Sequence, residues 1–425
     1  MGSDFAADCG ARILGARITP RLPRAFRQWR AIACGALSAA LGATYPALVY
    51  GALLPDSLRP FVTAGVEHDD NLFRDSSNEE SETIASLGAG IDINLNVSLQ
   101  RINGRLAFAE RRYDTNDYLD YTKADGALRW NWSVGSNWTG LLAQEYTRDL
   151  RSFVDNSNRQ REIRVAATTA AEMVRRIGAE WQLKVDFNYY VLDYQETHTL
   201  DRVTTSFGTE MQYKTSLDSY VGLRVSMADT AFPNDQIVDG DPVNSDYREE
   251  LLALVGGWKP STRSWLRAYI GRSRLEYDAF PTEDVTGRRY RMSFGWDPSE
   301  KLDMKISVWQ ELNPRDIGSE NERASAVESL GANFEPRWRL TSLVTLRARL
   351  SGENRRFTGE LDRLSNGEQR EEDVFNAGLG AVYRLNVTRN GVDLTADVAR
   401  AVRISNDVAY DYNSTRWLLG LRAGF

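Results

Sequence analysis

The sequence predicts an all-β fold, a transmembrane antiparallel up-and-down β-barrel of about 18 strands, with 16 also compatible. Three observations lead there. Apolar and polar residues alternate over runs longer than soluble strands usually reach, short turns alternate with long polar connectors, and tryptophans gather beside the short turns.

The alternation is clearest in SLGAGIDINLNVSLQ, residues 86–100, where Leu87, Ala89, Ile91, Ile93, Leu95, Val97 and Leu99 interleave with Gly88, Gly90, Asp92, Asn94, Asn96 and Ser98. Period 2 marks a strand, and a tilted strand needs roughly 9 to 11 residues to cross a bilayer. The same pattern returns at 181–191, 203–213, 221–227, 290–296, 302–308, 344–350, 375–385, 392–398 and 417–425. It is weakest over Glu249 to Val255 and Glu328 to Phe334.

Turn chemistry marks eight short connectors: Asn103-Gly104, Gly135-Ser136-Asn137, Arg176 to Gly178, Thr215-Ser216, Pro260-Ser261, Pro298-Ser299, Pro336-Arg337 and Asn390-Gly391. Nine long connectors fall near 74–82, 114–121, 149–160, 193–201, 228–247, 276–287, 312–323, 356–371 and 402–411. Seventeen connections join eighteen strands. Trp132, Trp138, Trp181, Trp258, Trp265, Trp296 and Trp338 lie near the short turns, as an aromatic girdle at the periplasmic interface requires.

Residues 1–52 read as a secretory leader and 53–425 as a single barrel domain. Arg12, Arg17, Arg21, Arg24, Arg27 and Arg30 precede an uncharged run from Ala31 to Leu54, with small residues at Gly51 and Ala52 for cleavage. Both cysteines, Cys9 and Cys34, fall in this leader, so thiol chemistry is not expected beyond it. Six Arg against Asp4 and Asp8 take four positive charges away with the leader, and the remainder goes from net −7 to about −11. Such an acidic chain is a poor partner for nucleic acid.

Beyond the leader only His68 and His198 remain, both near loop mouths and without a nucleophile motif, so neither an enzyme nor a transition-metal site is expected, and no cofactor. Asp235, Asp239, Asp241 and Asp246 could hold a hard cation, but their spacing fits no defined loop and a solvated acidic loop is the simpler reading. The polar register instead points to the lumen. From about residue 263 onward it places Arg267, Arg289, Arg291, Lys305, Arg347, Arg349, Arg384, Arg416 and Arg422 inside, against fewer acids on that wall, Asp303, Glu311, Asp393 and Asp397. Earlier strands mix Asp92, Asp125, Asp186, Glu210 and Asp218 with Arg129, Lys184 and Arg224. A basic wall suits anions, because the guanidinium fork donates two parallel hydrogen bonds to carboxylate or phosphate, while ion pairs that only stiffen the barrel are the alternative.

The stretch LPDSLRPFVTAGVEHDDNLFRDSS, with His68, Asp69, Asp70, Asn71, Leu72 and Phe73 at its heart, resembles the start of the EpsL-like outer-membrane barrels associated with exopolysaccharide biosynthesis, and more loosely the β-barrel porin 2 class. The specific part is about twenty residues long. Phe425, directly after an alternating strand, resembles the carboxy-terminal assembly signal of bacterial outer-membrane barrels. These resemblances imply a place in the bacterial outer membrane among lipid and lipopolysaccharide, recognition by the barrel-assembly machinery, and a role in polysaccharide export with a separate periplasmic partner. Two further readings stand beside export: a general or anion-preferring diffusion porin, and a structural barrel with its lumen plugged, for which Ala228 to Tyr247, the longest loop, is the candidate plug. The resemblance alone favours export.

Overall fold

The computed structural model describes residues 57–425 except 155–157, 216–218, 239–240, 280, 315–325, 359–366 and 386–390. The expected leader, residues 1–52, lies outside the described residues. Eighteen antiparallel strands form one closed sheet. In chain order they are β1 (Leu58–Asp69), β2 (Glu82–Val97), β3 (Gln100–Tyr113), β4 (Tyr121–Val134), β5 (Trp138–Leu150), β6 (Ile163–Ile177), β7 (Trp181–Tyr194), β8 (Arg202–Lys214) and β9 (Tyr220–Ala231). After a two-stranded hairpin within one loop, β10 (Gln236–Val238) and β11 (Asp241–Val243), the wall resumes with β12 (Tyr247–Ser261), β13 (Ser264–Tyr277), β14 (Val285–Ser299), β15 (Leu302–Pro314) and β16 (Ala326–Arg339). It ends with β17 (Val344–Thr358), β18 (Glu371–Leu385), β19 (Val392–Ser405) and β20 (Tyr412–Gly424). Each wall strand pairs with its neighbours in sequence, and β1 pairs with β20 to close the ring.

Alternation sorts the side chains by face. Leu87, Phe108, Phe207, Leu252, Ile270, Leu379 and Leu419 are exposed on the outside, and the residues between them line the lumen. No helix among the described residues is long and apolar enough to cross a membrane. An outward apolar band on a sheet without edges is the surface that suits lipid. Trp132, Trp138, Trp181, Trp258, Trp296 and Trp338 share the outer face near the short turns. Trp265 departs from the expected girdle. It faces the lumen opposite Gly295, where a Cβ would come within 2.3 Å of its indole.

Four expected turns lie elsewhere. Asn103 and Gly104 sit inside β3, paired with Asn94 and Ile93, and the chain reverses at Ser98 and Leu99 between Val97 and Gln100. Ser98 takes the left-handed φ of +54° there. Pairing with β2 in this register outweighs the Asn-Gly preference. Pro336 and Arg337 sit inside β16, and Pro336, with no N–H to give β17, interrupts only that ladder between Phe334 and Arg337. Pro260 and Pro298 end their strands two or three residues before the reversal. The Asn390-Gly391 turn lies partly outside the described residues, with Gly391 at φ +79°.

The long loops share a device that the sequence reading missed. An aspartate ahead of the returning strand accepts the backbone N–H near the end of the outgoing one: Asp120 from Tyr113 at 2.8 Å, Asp201 from Tyr194 at 2.6 Å, Asp284 from Tyr277 at 3.0 Å and Asp411 from Ser405 at 2.6 Å. A short 3-10 turn precedes each one. Glu82 and Glu162 then accept the N–H groups of adjacent loops, at Asp114 to Asn116 and at Glu196 and Thr197. The outer rim is hydrogen-bonded to itself.

Two of these aspartates titrate in opposite directions. Asp120 is held below the ordinary range by the Tyr113 N–H and Arg112, whereas burial and Asp193 push Asp201 up to about 6, although the Tyr194 N–H and His198 pull the other way. A raised carboxyl pKa stabilises the fold fully below its ordinary value, and that contribution is lost as pH rises through about 6. Asp201→Asn should therefore lose part of the thermal stabilisation that wild type gains between pH 7 and pH 4, on the order of 1 kcal/mol after screening. Asp120→Asn should act in the opposite sense. The loss of heat-modifiable gel mobility with temperature across that pH range measures both. A second test concerns the faces: Ile91→Arg or Leu419→Arg should cost about 2 to 4 kcal/mol and block assembly, while Asn94→Asp or Asn188→Asp should assemble normally by the same gel shift.

Candidate functional site

The lumen collects the chemistry of this chain. All nine basic residues singled out from the sequence project into it, opposite the exposed apolar band: Arg267 from β13, Arg289 and Arg291 from β14, Lys305 from β15, Arg347 and Arg349 from β17, Arg384 from β18, and Arg416 and Arg422 from β20. Eight of them meet carboxylates. Arg291 lies 2.8 Å from Glu311, Arg347 2.8 Å from Asp397, Arg349 2.9 Å from Glu335, Arg384 2.7 Å from Asp393, Lys305 3.9 Å from Glu335 and Arg416 3.6 Å from Glu67. Arg289 pairs with Glu249 and Arg422 with Asp92. Arg267 reaches no carboxylate among the described residues and lies over the Trp265 ring at 4.9 Å.

The wall is thus more balanced than the sequence indicated. Glu249 and Glu335 escaped notice because they lie on β12 and β16, the strands with the weakest alternation. Glycines then let charges pair across an intervening strand. Asp397 of β19 and Arg347 of β17 meet over Gly380 of β18, where a Cβ would come within 2.0 Å of the Asp397 carboxylate. Gly208 of β8 gives the same clearance to Arg224 and Asp186, which pair at 2.6 Å from β9 and β7.

The pairs are not symmetric toward water. On the basic wall the guanidinium is the exposed end: Arg349 is 72% exposed against 27% for Glu335, Arg384 57% against 23% for Asp393, and Arg347 51% against 23% for Asp397. Two pairs on β4 to β7 run the other way, Asp125 and Glu172 being more exposed than Lys123 and Lys184, while Arg164 there is more exposed than Asp149. One side of the lumen therefore offers positive ends to solvent.

At the outer end, loops turn apolar side chains toward the lumen. Leu72 and Phe73 pack with Ile84, Tyr113, Tyr121 and Phe153, the two phenylalanine rings 4.8 Å apart edge to face. Arg159 lies over Phe73 at 4.7 Å and pairs with Asp75 and Glu80. The Asp75 carboxyl is lowered to about 2 by the N–H groups of Ser77 and Asn78 and by Arg159. Leu192, Tyr194 and Leu200 form a second cluster, and Leu275, Tyr277, Leu312 and Ala326 a third. None contains a residue from the middle of the 228–247 loop, the expected plug. Within that loop Phe232 gives its N–H to Asp246, and Asn234 gives its side-chain N–H to the His198 carbonyl of another loop.

The His68 to Phe73 stretch joins the first strand to the last. Asp69 accepts from Arg74 and from Ser414 at 2.9 Å, Asp70 accepts the Thr415 N–H at 2.6 Å, and buried Asn71 donates to the carbonyls of Asp75 and Asn413. His68 is exposed on the outer face, 3.1 Å from Thr83. No cluster of three metal-ligating side chains occurs among the described residues.

A sequence model of the family described as "Putative beta-barrel porin 2" matches residues 267–425, from β13 to the end of the chain. No curated protein sequence matches. Among solved structures, Pseudomonas aeruginosa OccK1 (OpdK) aligns at 10% identity and TM-score 0.47, covering 87% of this chain and 99% of that one. P. aeruginosa OccK2 (OpdF) aligns at 10% identity and TM-score 0.47, covering 87% and 98%. P. aeruginosa OpdL aligns at 10% identity and TM-score 0.45, covering 87% and 99%. The chain is a closed antiparallel β-barrel of the outer-membrane type, and over residues 267–425 it is similar to that porin family.

Proposed function

We propose that the barrel is a diffusion channel that favours small anionic solutes. The observation that carries this reading is the asymmetry of the lumenal ion pairs on β14 to β20, whose arginines reach water while their carboxylates lie against the wall. Fixed charge presented this way raises the local concentration of the opposite ion, and a paired guanidinium keeps donors free for a passing carboxylate or phosphate. Unpaired Arg267 adds to the same side. The residues that resemble exopolysaccharide-associated barrels do not argue for a polymer substrate, because Asp69, Asp70, Asn71, Leu72 and Phe73 are engaged in building the outer mouth.

Changing Arg347, Arg349, Arg384 and Arg416 to Gln in pairs should move the reversal potential in planar bilayers toward cation selectivity, with the barrel still assembled. The shift should shrink at 1 M salt, where the screening length falls to about 3 Å. Unchanged selectivity in every pair would remove the anion preference. Gly380→Ala, which splits Arg347 from Asp397 without removing either, should alter conductance less than loss of the arginine does.

A further inference from the structure

On the outer face, Arg272 of β13 and Arg288 of β14 stand directly opposite each other. Both are exposed, and neither reaches a carboxylate among the described residues. Every other feature of this region argues against leaving two like charges side by side, a pairing that destabilises a sheet. Nearby Arg248 pairs with Asp229 at 2.6 Å and Arg274 with Glu276 at 2.7 Å.

Their height is informative. Arg272 lies eight residues beyond Ser264 at the short turn, about 20 Å up a strand rising 3.3 Å per residue at a tilt near 40°, close to the top of an apolar band about 25 Å tall. Ile270 and Tyr290 form the pair just below. Beside the arginines runs an outer groove of about 600 Å³ whose floor is Val225, Met227 and Leu252 and whose rim carries Arg272, Arg274 and Glu250. Glu250 stands opposite Arg274, not opposite the free pair. Beyond Tyr290 and Gln310 the β14–β15 ladder stops.

We propose that Arg272 and Arg288 bind a phosphate of lipopolysaccharide, with an acyl chain lying in the groove beside them. Two guanidinium groups can each present a two-donor fork to one phosphate, and the anion removes the repulsion between them. The outer leaflet of an outer membrane presents phosphorylated glucosamine at this height, directly above hydrocarbon, and the groove sets charge beside apolar surface.

The test is lipopolysaccharide bound to the purified full-length barrel, followed by native mass spectrometry in detergent. Arg272→Gln with Arg288→Gln should lower bound lipopolysaccharide at least fivefold, with heat-modifiable mobility and ion selectivity unchanged. Arg272→Lys with Arg288→Lys should restore part of it, and Arg274→Gln should lose little. Wild type should bind the same lipopolysaccharide several-fold more weakly after chemical dephosphorylation. Full retention by the double Gln variant, equal binding of the dephosphorylated lipid, or displacement by phosphatidylglycerol at equal concentration would each overturn the assignment. Because selectivity is read on the same protein, failure here is separable from failure of the channel reading.

Discussion

Everything in this structure depends on one junction, the hydrogen-bonded pairing of β1 with β20 from Phe61 opposite Gly424 to Asp69 opposite Arg416. In hydrocarbon an unpaired backbone N–H or C=O costs several kcal/mol, and an open sheet would leave two rows of them. The chain secures that junction at both ends. Towards the short turns, Phe425 donates its N–H to Pro60 at 2.9 Å, and Asp92 of β2 holds Arg422 of β20 across β1, with Phe61 beneath the guanidinium at 4.0 Å. At the outer end the Asp69, Asp70 and Asn71 side chains hold Ser414, Thr415 and Asn413. Residues more than 340 apart in sequence are joined there, the most costly contacts to form in terms of chain entropy.

The lumen follows from closure. A ring of this many strands is too wide for side chains to fill, so its inner face is wet and polar. Charges on that face gain little if paired in open water. Here the carboxylates of β15 to β19 lie low against neighbouring strands, and glycines at 208 and 380 remove the Cβ atoms that would keep partners apart. The resulting lattice ties non-adjacent strands together while leaving positive ends in the water. Stiffness and the proposed anion preference thus rest on one arrangement.

Much of this was legible because a wall with lipid on one side and water on the other imposes period 2 on every strand. The strand count, the faces of Ile91, Leu95, Phe187 and Leu419, and the inward set from Arg267 to Arg422 all follow from that period. What was not legible depends on neighbours distant in sequence. Asn103-Gly104 has turn chemistry, yet pairing with Asn94 and Ile93 decides its place. Trp265 looks like a girdle residue until Gly295 is set opposite it. The aspartates at 120, 201 and 284 form a readable signal, a tyrosine seven residues ahead of each, that period counting passes over.

Arginine has three distinct uses in this barrel, and partners rather than residue type separate them. Arg422 is held between a carboxylate and a ring and serves closure. Arg349 is anchored by Glu335 but mostly in water, where it can act on a solute. Among the described residues Arg272 and Arg288 have only each other, on the outer face. Negative charge from outside the chain would relieve the repulsion between them, and the outer leaflet is the source proposed for it. The same accounting that makes the lumen self-sufficient therefore makes this outer patch dependent on its surroundings.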